Sequence, residues 1–178
     1  MIKGLLLGTA GAVLAGLLGA YAFVVMGGMP ANADADPPAL EKWAARKSLR
    51  ATIARQAPKG PVPVELSDEN LLAGVKLYTA NCAVCHGGAD GKASNIAKGL
   101  YQKAPQLGED GVEDDPEGKI YWKIYHGIRM TGMPAFSRTL AEKQLWQITL
   151  LLKHMDTLSP AADKAWKAVP SQASGSSR

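Results

Sequence analysis

Cys82-Ala83-Val84-Cys85-His86 is the most informative stretch of this chain, because it contains both cysteines of the 178 residues. Cys82 and Cys85 stand three positions apart, which is about one turn of a helix. Both thiols can therefore reach the two vinyl groups of a porphyrin, while His86 turns beneath the ring to bind its iron. C-x-x-C-H is the attachment pattern of c-type haem. We predict one covalent haem c, held by Cys82, Cys85 and His86.

Other uses of two cysteines fit this sequence less well. A zinc site needs four ligands, and the histidines outside the motif, His126 and His154, do not stand at zinc-finger spacing. A thioredoxin-like dithiol requires a βαβ context, which the sequence does not predict. Two cysteines also cannot form a disulfide framework.

Apolar residues recur at helical spacing in three segments around the motif. The starts of these helices are predicted from capping residues, namely Ser67, Asp115 before Pro116, and Thr139 with Glu142 three residues later. No period-two run predicts a strand, so we predict an all-α unit over residues 63–158. Three helices give a thin core for that length, and a group such as haem is needed at its centre.

An apolar segment precedes this unit. Residues 4–29 carry no charge and follow Lys3. As a helix they would extend roughly 39 Å, enough to cross a hydrocarbon layer of about 30 Å. We predict a transmembrane anchor over residues 1–30, whose flanking charges favour an inside amino terminus. A cleaved signal peptide is the alternative, since Ala31-Asn32-Ala33 provides a small-x-small cleavage site.

The remaining segments are predicted from composition and charge. Residues 31–62 should form a basic juxtamembrane helix, from Leu40 to Arg55, followed by a Pro-rich linker, and residues 159–178 a disordered tail. The net charge of +4 lies entirely in residues 37–59, with six basic residues against Glu41, while residues from 60 onward carry thirteen of each sign. The haem domain is therefore neutral, and we predict no nucleic-acid partner. Anionic lipid is the expected partner of the basic segment, and a helix that is merely solvated is the alternative.

The chain resembles the small monohaem cytochrome c family over about residues 68–158. The matching strings are Gly74 to Gly87, Ala104 to Leu107, Thr131 to Phe136, and the last helix around Leu145-Trp146. The resemblance implies a small cytochrome c fold, with three main helices around the covalent haem. It also implies that Gly74 and Tyr78 face Trp146 where the first and last helices cross. It further makes Met133 the distal iron ligand and Pro105 the residue whose carbonyl accepts a hydrogen bond from His86.

The distal ligand can also be weighed from the residues alone, among Met130, Met133, His126 and His154. Both histidines fit surface positions on helices. Met133 precedes Pro134, which favours an extended backbone in a loop able to cover a ring face. A nearby methionine such as Met130 more often packs in a core or at a haem edge. We favour Met133.

We predict an electron carrier rather than an enzyme. One-electron transfer would be performed by a His/Met-ligated haem c domain in the periplasm, tethered by a single span to the outer face of a bacterial inner membrane. Its partners would be redox donor and acceptor proteins. One alternative is a cytochrome subunit of a larger membrane-bound dehydrogenase or quinol-oxidising respiratory complex, with other transmembrane subunits as neighbours. Another is a haem sensor or peroxidase from whose iron Met133 dissociates.

Overall fold

The computed structural model describes residues 2–170, and within them the secondary structure is helical. Short 3-10 turns lie at Val112–Asp114 and Phe136–Arg138. The eight α-helices of the described residues are α1 (Ile2–Val25), α2 (Ala39–Gln56), α3 (Asp68–Asn81), α4 (Ala83–His86), α5 (Asn95–Gly99), α6 (Glu117–His126), α7 (Glu142–Lys153) and α8 (Pro160–Lys167). The prediction of an all-α chain with an apolar N-terminal helix is confirmed.

The chain divides into two compact units, and the boundary between them falls after Asn32. The first consists largely of α1, whose 24 residues make it the one helix in the described part of the chain that is long and apolar enough to cross a membrane. At about 1.5 Å per residue it is roughly 36 Å long. A signal sequence near the amino terminus can also meet these criteria of length and composition.

The second unit is built on the crossing of α3 and α7. Tyr78, Ile148 and Leu151 are fully buried there. Gly74 lies so close to α7 that a Cβ atom would collide with the carbonyl oxygen of Gln147 and press on Leu151. The two backbones can therefore approach closely only because residue 74 has no side chain.

Trp146 is not among the nearest contacts of Gly74, which faces Gln147 and Leu151 of α7. The Trp146 ring instead stacks on Tyr121 of α6, with centroids 4.0 Å apart and planes 14° apart. Gly74 meets the α7 backbone one residue later, at Gln147. This aromatic pair packs α6 against α7, so that α3, α6 and α7 together enclose the core.

Two of the three predicted helix starts are wrong by one or two residues. Ser67 caps α3 as expected, accepting a hydrogen bond from the amide of Asn70 at 3.3 Å. Helix α6 is preceded by Pro116 rather than capped by Asp115, whose carboxylate binds Lys119 and Lys123 instead. Helix α7 begins after Ala141, whose amide donates to the Gln144 side chain.

The predicted disordered tail over residues 159–178 is wrong for the part that the structure describes. Helix α8 is capped by Ser159 and packs on α3, where Trp166 makes an edge-to-face contact with Tyr78 at 5.1 Å. Ala162 and Val169 are also buried. Burial of these side chains orders a segment of low apolar content. Residues 171–178 lie outside the described residues.

The basic helix predicted as a separate segment belongs to the second unit. Helix α2 packs on α6, and its Ile53 is 6% exposed. At the following turn, a Cβ atom on Gly118 would collide with the carbonyl oxygen of Pro58, so the linker also lies directly on α6. The division of residues 31–62 from the haem domain is therefore not seen in the structure.

Candidate functional site

All five predicted site residues lie at one cavity or beside it. The space it encloses, including its open mouth, is about 1160 Å³. Its wall is predominantly apolar, with contributions from the end of α3, α4, the loop before α6, α6, the loop before α7, and α7. Five predicted binding residues line it, namely Cys82, Cys85, His86, Pro105 and Met133. A largely apolar cavity with a few convergent polar groups is typical of cofactor sites.

The C-x-x-C-H motif forms a single helical turn beyond α3. The amide of His86 donates to the carbonyl of Cys82 at 2.9 Å, so the spacing produces the turn expected from the sequence. Gly87 ends the turn with a φ of +71°, and a Cβ atom there would lie 2.9 Å from the carbonyl oxygen of Lys92. Glycine is therefore required directly after the histidine.

The two cysteines are free and differ in exposure, since Cys82 is buried and Cys85 half-buried. Burial, followed by the proximity of Cys85, raises the pKa of the Cys82 thiol to about 12. Dithiol redox sites depend on a cysteine with a lowered pKa. Cys82 does not have this property.

His86 is oriented by the backbone carbonyl of Pro105. The distance between Nδ1 of His86 and that oxygen is 2.8 Å. A carbonyl oxygen only accepts, so Nδ1 carries the proton and the lone pair of the ring lies on Nε2. Burial lowers the pKa of His86, although the Pro105 hydrogen bond and nearby Asp110 act in the opposite direction. A neutral imidazole with its Nδ1 proton engaged is the form that binds a metal through Nε2.

The loop that carries Pro105 is tied back to the motif by residues that the sequence analysis did not identify. The side-chain amide of Gln106 donates to the carbonyls of Cys85 and Ala104, at 3.3 and 3.0 Å. On the other side, the Tyr78 hydroxyl donates to the carbonyl of Gly87 at 2.9 Å, and burial raises the pKa of that phenol. Gln106 follows Pro105 directly, but nothing in the sequence indicates that its amide would reach back across the turn.

Met133 and Met130 differ sharply in their surroundings. Met133 is half-buried at the cavity wall, and its carbonyl and amide are bound by Ile128 and Thr131. Met130 is 83% exposed and has a φ of +61°, at the tip of the same loop. Neither His126 nor His154 contributes to the cavity wall. Of the four distal candidates, Met133 alone faces this space.

These features fit a haem held on its edge by two cysteines and at its iron by His86 and Met133. Among residues 2–170, no group of three or more His, Cys, Asp or Glu side chains could hold a bare metal ion. Residues 69–151 match the family model described as cytochrome c oxidase, cbb3-type, subunit III. The chain contains a c-type cytochrome domain. Its cofactor is covalently bound haem c, and the fold built around it is helical as predicted.

Comparison with curated proteins adds one weak similarity. The GTPase Obg of Desulfatibacillum aliphaticivorans is 25% identical over 80 residues, which is 44% of this chain and 24% of that protein. The chain thus spans about a quarter of the length of this relative, and it has no Gly-x-x-x-x-Gly-Lys phosphate-binding string. No solved structure matches the chain.

Proposed function

We propose that this protein carries single electrons through a haem c ligated by His86 and Met133. The observation that carries the proposal is the presence of both residues at one apolar cavity, with Nδ1 of His86 already occupied by Pro105. Haem c supplies an iron that cycles between the ferric and ferrous states. A site with protein ligands on both faces of the iron has no open position for a substrate, which favours electron transfer over catalysis.

Cys82 and Cys85 have the role of attachment residues in this proposal. Each thiol would hold the haem through a carbon–sulfur bond to one vinyl group, with the thiol hydrogen placed on the neighbouring vinyl carbon. The helical turn of α4 supports this role, because it fixes the separation of the two sulfur atoms. Met133 contributes a thioether, which stabilises ferrous iron more than a second imidazole would.

The proposal is tested by a spectroelectrochemical titration of the purified full chain in detergent. We expect one reversible transition with the slope of a single electron and a c-type spectrum that survives denaturation, because the thioether bonds are covalent. Extraction of the haem by acidic acetone would contradict covalent attachment by Cys82 and Cys85. A transition with more than one electron would contradict a single haem.

We further propose that α1 holds this domain at the outer face of a bacterial inner membrane, with the haem in the periplasm. The length and composition of α1 support a single span, and Lys3 before it, with Asp34 and Asp36 after it, favours an inside amino terminus. Protease added to spheroplasts should release a haem-containing fragment. Protection of the haem from protease until the membrane is lysed would contradict the orientation, and release of haem without protease would indicate a cleaved signal peptide.

The family match supports a second candidate, in which the chain is the cytochrome subunit of a larger respiratory complex. The matching family is described as a subunit of a cbb3-type oxidase. Gly8, Ala12, Gly16 and Ala20 recur every fourth residue in α1, which is a pattern that permits close packing with another membrane helix. Extraction in a mild detergent followed by mass measurement separates the candidates. A mass of several subunits supports the complex, and a single chain supports the separate carrier.

A further inference from the structure

Two residues of the cavity wall lie outside the family match, namely Leu49 well before it and Leu152 directly after it. Leu49 of α2 lines the cavity, whereas the other wall residues found in the described part of the chain lie at Asn81 or later. The family match begins only at residue 69. Helix α2 is therefore an addition to the cytochrome domain that reaches its cofactor cavity.

Helix α2 is held in this position at three places along its inward face. Near its start, Glu41 accepts a hydrogen bond from the Tyr101 hydroxyl at 2.8 Å. Ile53 is buried against α6, and at the end of the helix Gln56 accepts from the indole of Trp122 at 3.3 Å. Tyr101 begins the loop that leads to Pro105, so α2 binds both the loop behind His86 and the helix beside the cavity.

Other side chains of α2 are exposed to solvent. Leu40 and Trp43 are 74% and 60% exposed, and Arg46, Lys47 and Arg50 are exposed as well. Leu49 and Ile53 stand four residues apart and so share a face, whereas Leu40, nine residues before Leu49, lies on the opposite side of the helix. Leu49 and Leu40 thus provide the same side chain on the two faces of one helix.

We infer that α2 forms a wall of the haem pocket, and that Leu49 excludes water from the haem on that side. This inference rests on the proposed haem site and extends that site to a residue outside the segment that matches the family model. Ferric haem carries one more positive charge than ferrous haem, so an apolar wall disfavours the ferric form and raises the reduction potential. The apolar surroundings of a metal site also control solvent access to it. Leu49 is accordingly a positioning residue that sets the potential without binding the iron.

The test compares Leu49→Ala with Leu40→Ala in the full chain in detergent, which is the same change on the two faces of α2. We expect Leu49→Ala to lower the midpoint potential while keeping a low-spin spectrum, because water gains access but the ligands remain. Leu40→Ala should leave the potential at the wild-type value, and Leu49→Met, which conserves volume, should restore it. An unchanged potential in Leu49→Ala, or an equal shift in both alanine variants, would overturn the inference.

A second variant releases the helix without changing the cavity wall itself. Tyr101→Phe combined with Ile53→Ala removes two of the three attachments of α2, and faster amide hydrogen exchange in α2 would report its release. Release should lower the midpoint potential in the same direction as Leu49→Ala. Release with an unchanged potential would overturn the inference. Failure of the proposed function is distinguishable, because the wild-type chain would then lack a covalent c-type spectrum altogether.

Discussion

At the scale of single residues, the site depends on which nitrogen of His86 carries its proton. Pro105 has a carbonyl oxygen 2.8 Å from Nδ1, so Nε2 is left with the lone pair. The carbonyl is itself held because the adjoining Gln106 side chain donates to the backbone at Cys85 and Ala104. The orientation of the imidazole is thus determined by backbone groups, which a change of side chain at residue 105 would disturb only indirectly.

Met133 and Met130 give a matched pair for the second iron ligand. We expect Met133→Ala to lower the midpoint potential by on the order of 0.1 V and to open a coordination position, because a thioether is lost. Met130→Ala should change neither property, since Met130 is 83% exposed. Redox titration and absorption spectra of both variants provide the measurement. If the two variants had the same midpoint potential and the same spectrum, Met133 would not be the second iron ligand.

The chemistry of single residues could be predicted from the sequence to the extent that it depends on local spacing. The helical turn from Cys82 to His86 is predicted by the spacing of the motif. The choice of Met133 over Met130 is predicted by the proline that follows Met133. The support of the site by Gln106 could not be predicted in this way. Its hydrogen bond joins positions 21 residues apart, and only the folded loop brings them together.

At the scale of helices, the closest contact in the core is the crossing of α3 and α7 at Gly74. We expect Gly74→Ala to destabilise the holoprotein by about 1–3 kcal/mol, because the new methyl group would collide with the backbone of Gln147 and force the helices apart. Gly99→Ala is the control, since a Cβ atom there meets open space in α5. Urea unfolding of both variants provides the comparison. If Gly99→Ala lowered the free energy of unfolding as much as Gly74→Ala, the close contact of α3 with α7 would not be the cause.

The start of α6 is stabilised by a carboxylate with two lysine partners. Asp115 binds Lys119 and Lys123 at 2.5 and 2.8 Å. Burial alone would raise the pKa of Asp115, but the hydrogen bonds from the two lysines outweigh it and hold the pKa below its ordinary value. A carboxylate with a lowered pKa stabilises the fold fully above about pH 4, and its contribution is lost as the pH falls through the lowered value.

Asp115→Asn should therefore destabilise the protein by about 1 kcal/mol at pH 7, and the difference from wild type should shrink as the pH falls below about 4. Asp163→Asn, which breaks the more exposed pair with Lys167, is the control and should cost less than about 0.5 kcal/mol. Urea unfolding at pH 7 and below about pH 4 measures both. A difference for Asp115→Asn that persists unchanged in acid would contradict the assigned cause.

The helices that were predicted correctly have their own apolar periodicity, and the errors fall where tertiary contacts decide. Helix α8 has a short, Ala-rich sequence that is ordered by burial of Trp166 against Tyr78. Helix α2 was predicted as a helix, but its attachment depends on hydrogen bonds between residues 60 and 66 positions apart. A local sequence pattern cannot indicate hydrogen bonds between residues so far apart in the chain.

At the scale of the whole molecule, most of the positive charge lies on the solvent-exposed face of a helix that also contributes Leu49 to the cavity wall. Six of the basic residues stand within positions 37–59, while the chain from residue 60 onward is neutral. The sequence alone suggested a basic stem separate from the redox domain. Because α2 packs on α6, the basic face and the haem cavity instead belong to one compact unit.

Arg46, Lys47 and Arg50 on this face are expected to bind anionic lipid, each with about 1 kcal/mol before screening. In anionic nanodiscs, Trp43 of the full chain should be protected from hydroxyl-radical oxidation, and changing the three bases to Gln should abolish the protection. The same change at the exposed Lys76, Lys143 and Lys164 should not. Equal protection in zwitterionic nanodiscs would contradict electrostatic binding.

Reaction of the native ferrous protein with carbon monoxide tests the electron-carrier account most directly. An iron bound by both His86 and Met133 has no free position, so the account predicts six-coordinate low-spin spectra in both oxidation states and no rapid binding of carbon monoxide. Rapid formation of a carbon monoxide complex by the native ferrous protein would contradict it. That result would mean that Met133 leaves the iron readily, as expected of a haem sensor or a peroxidase.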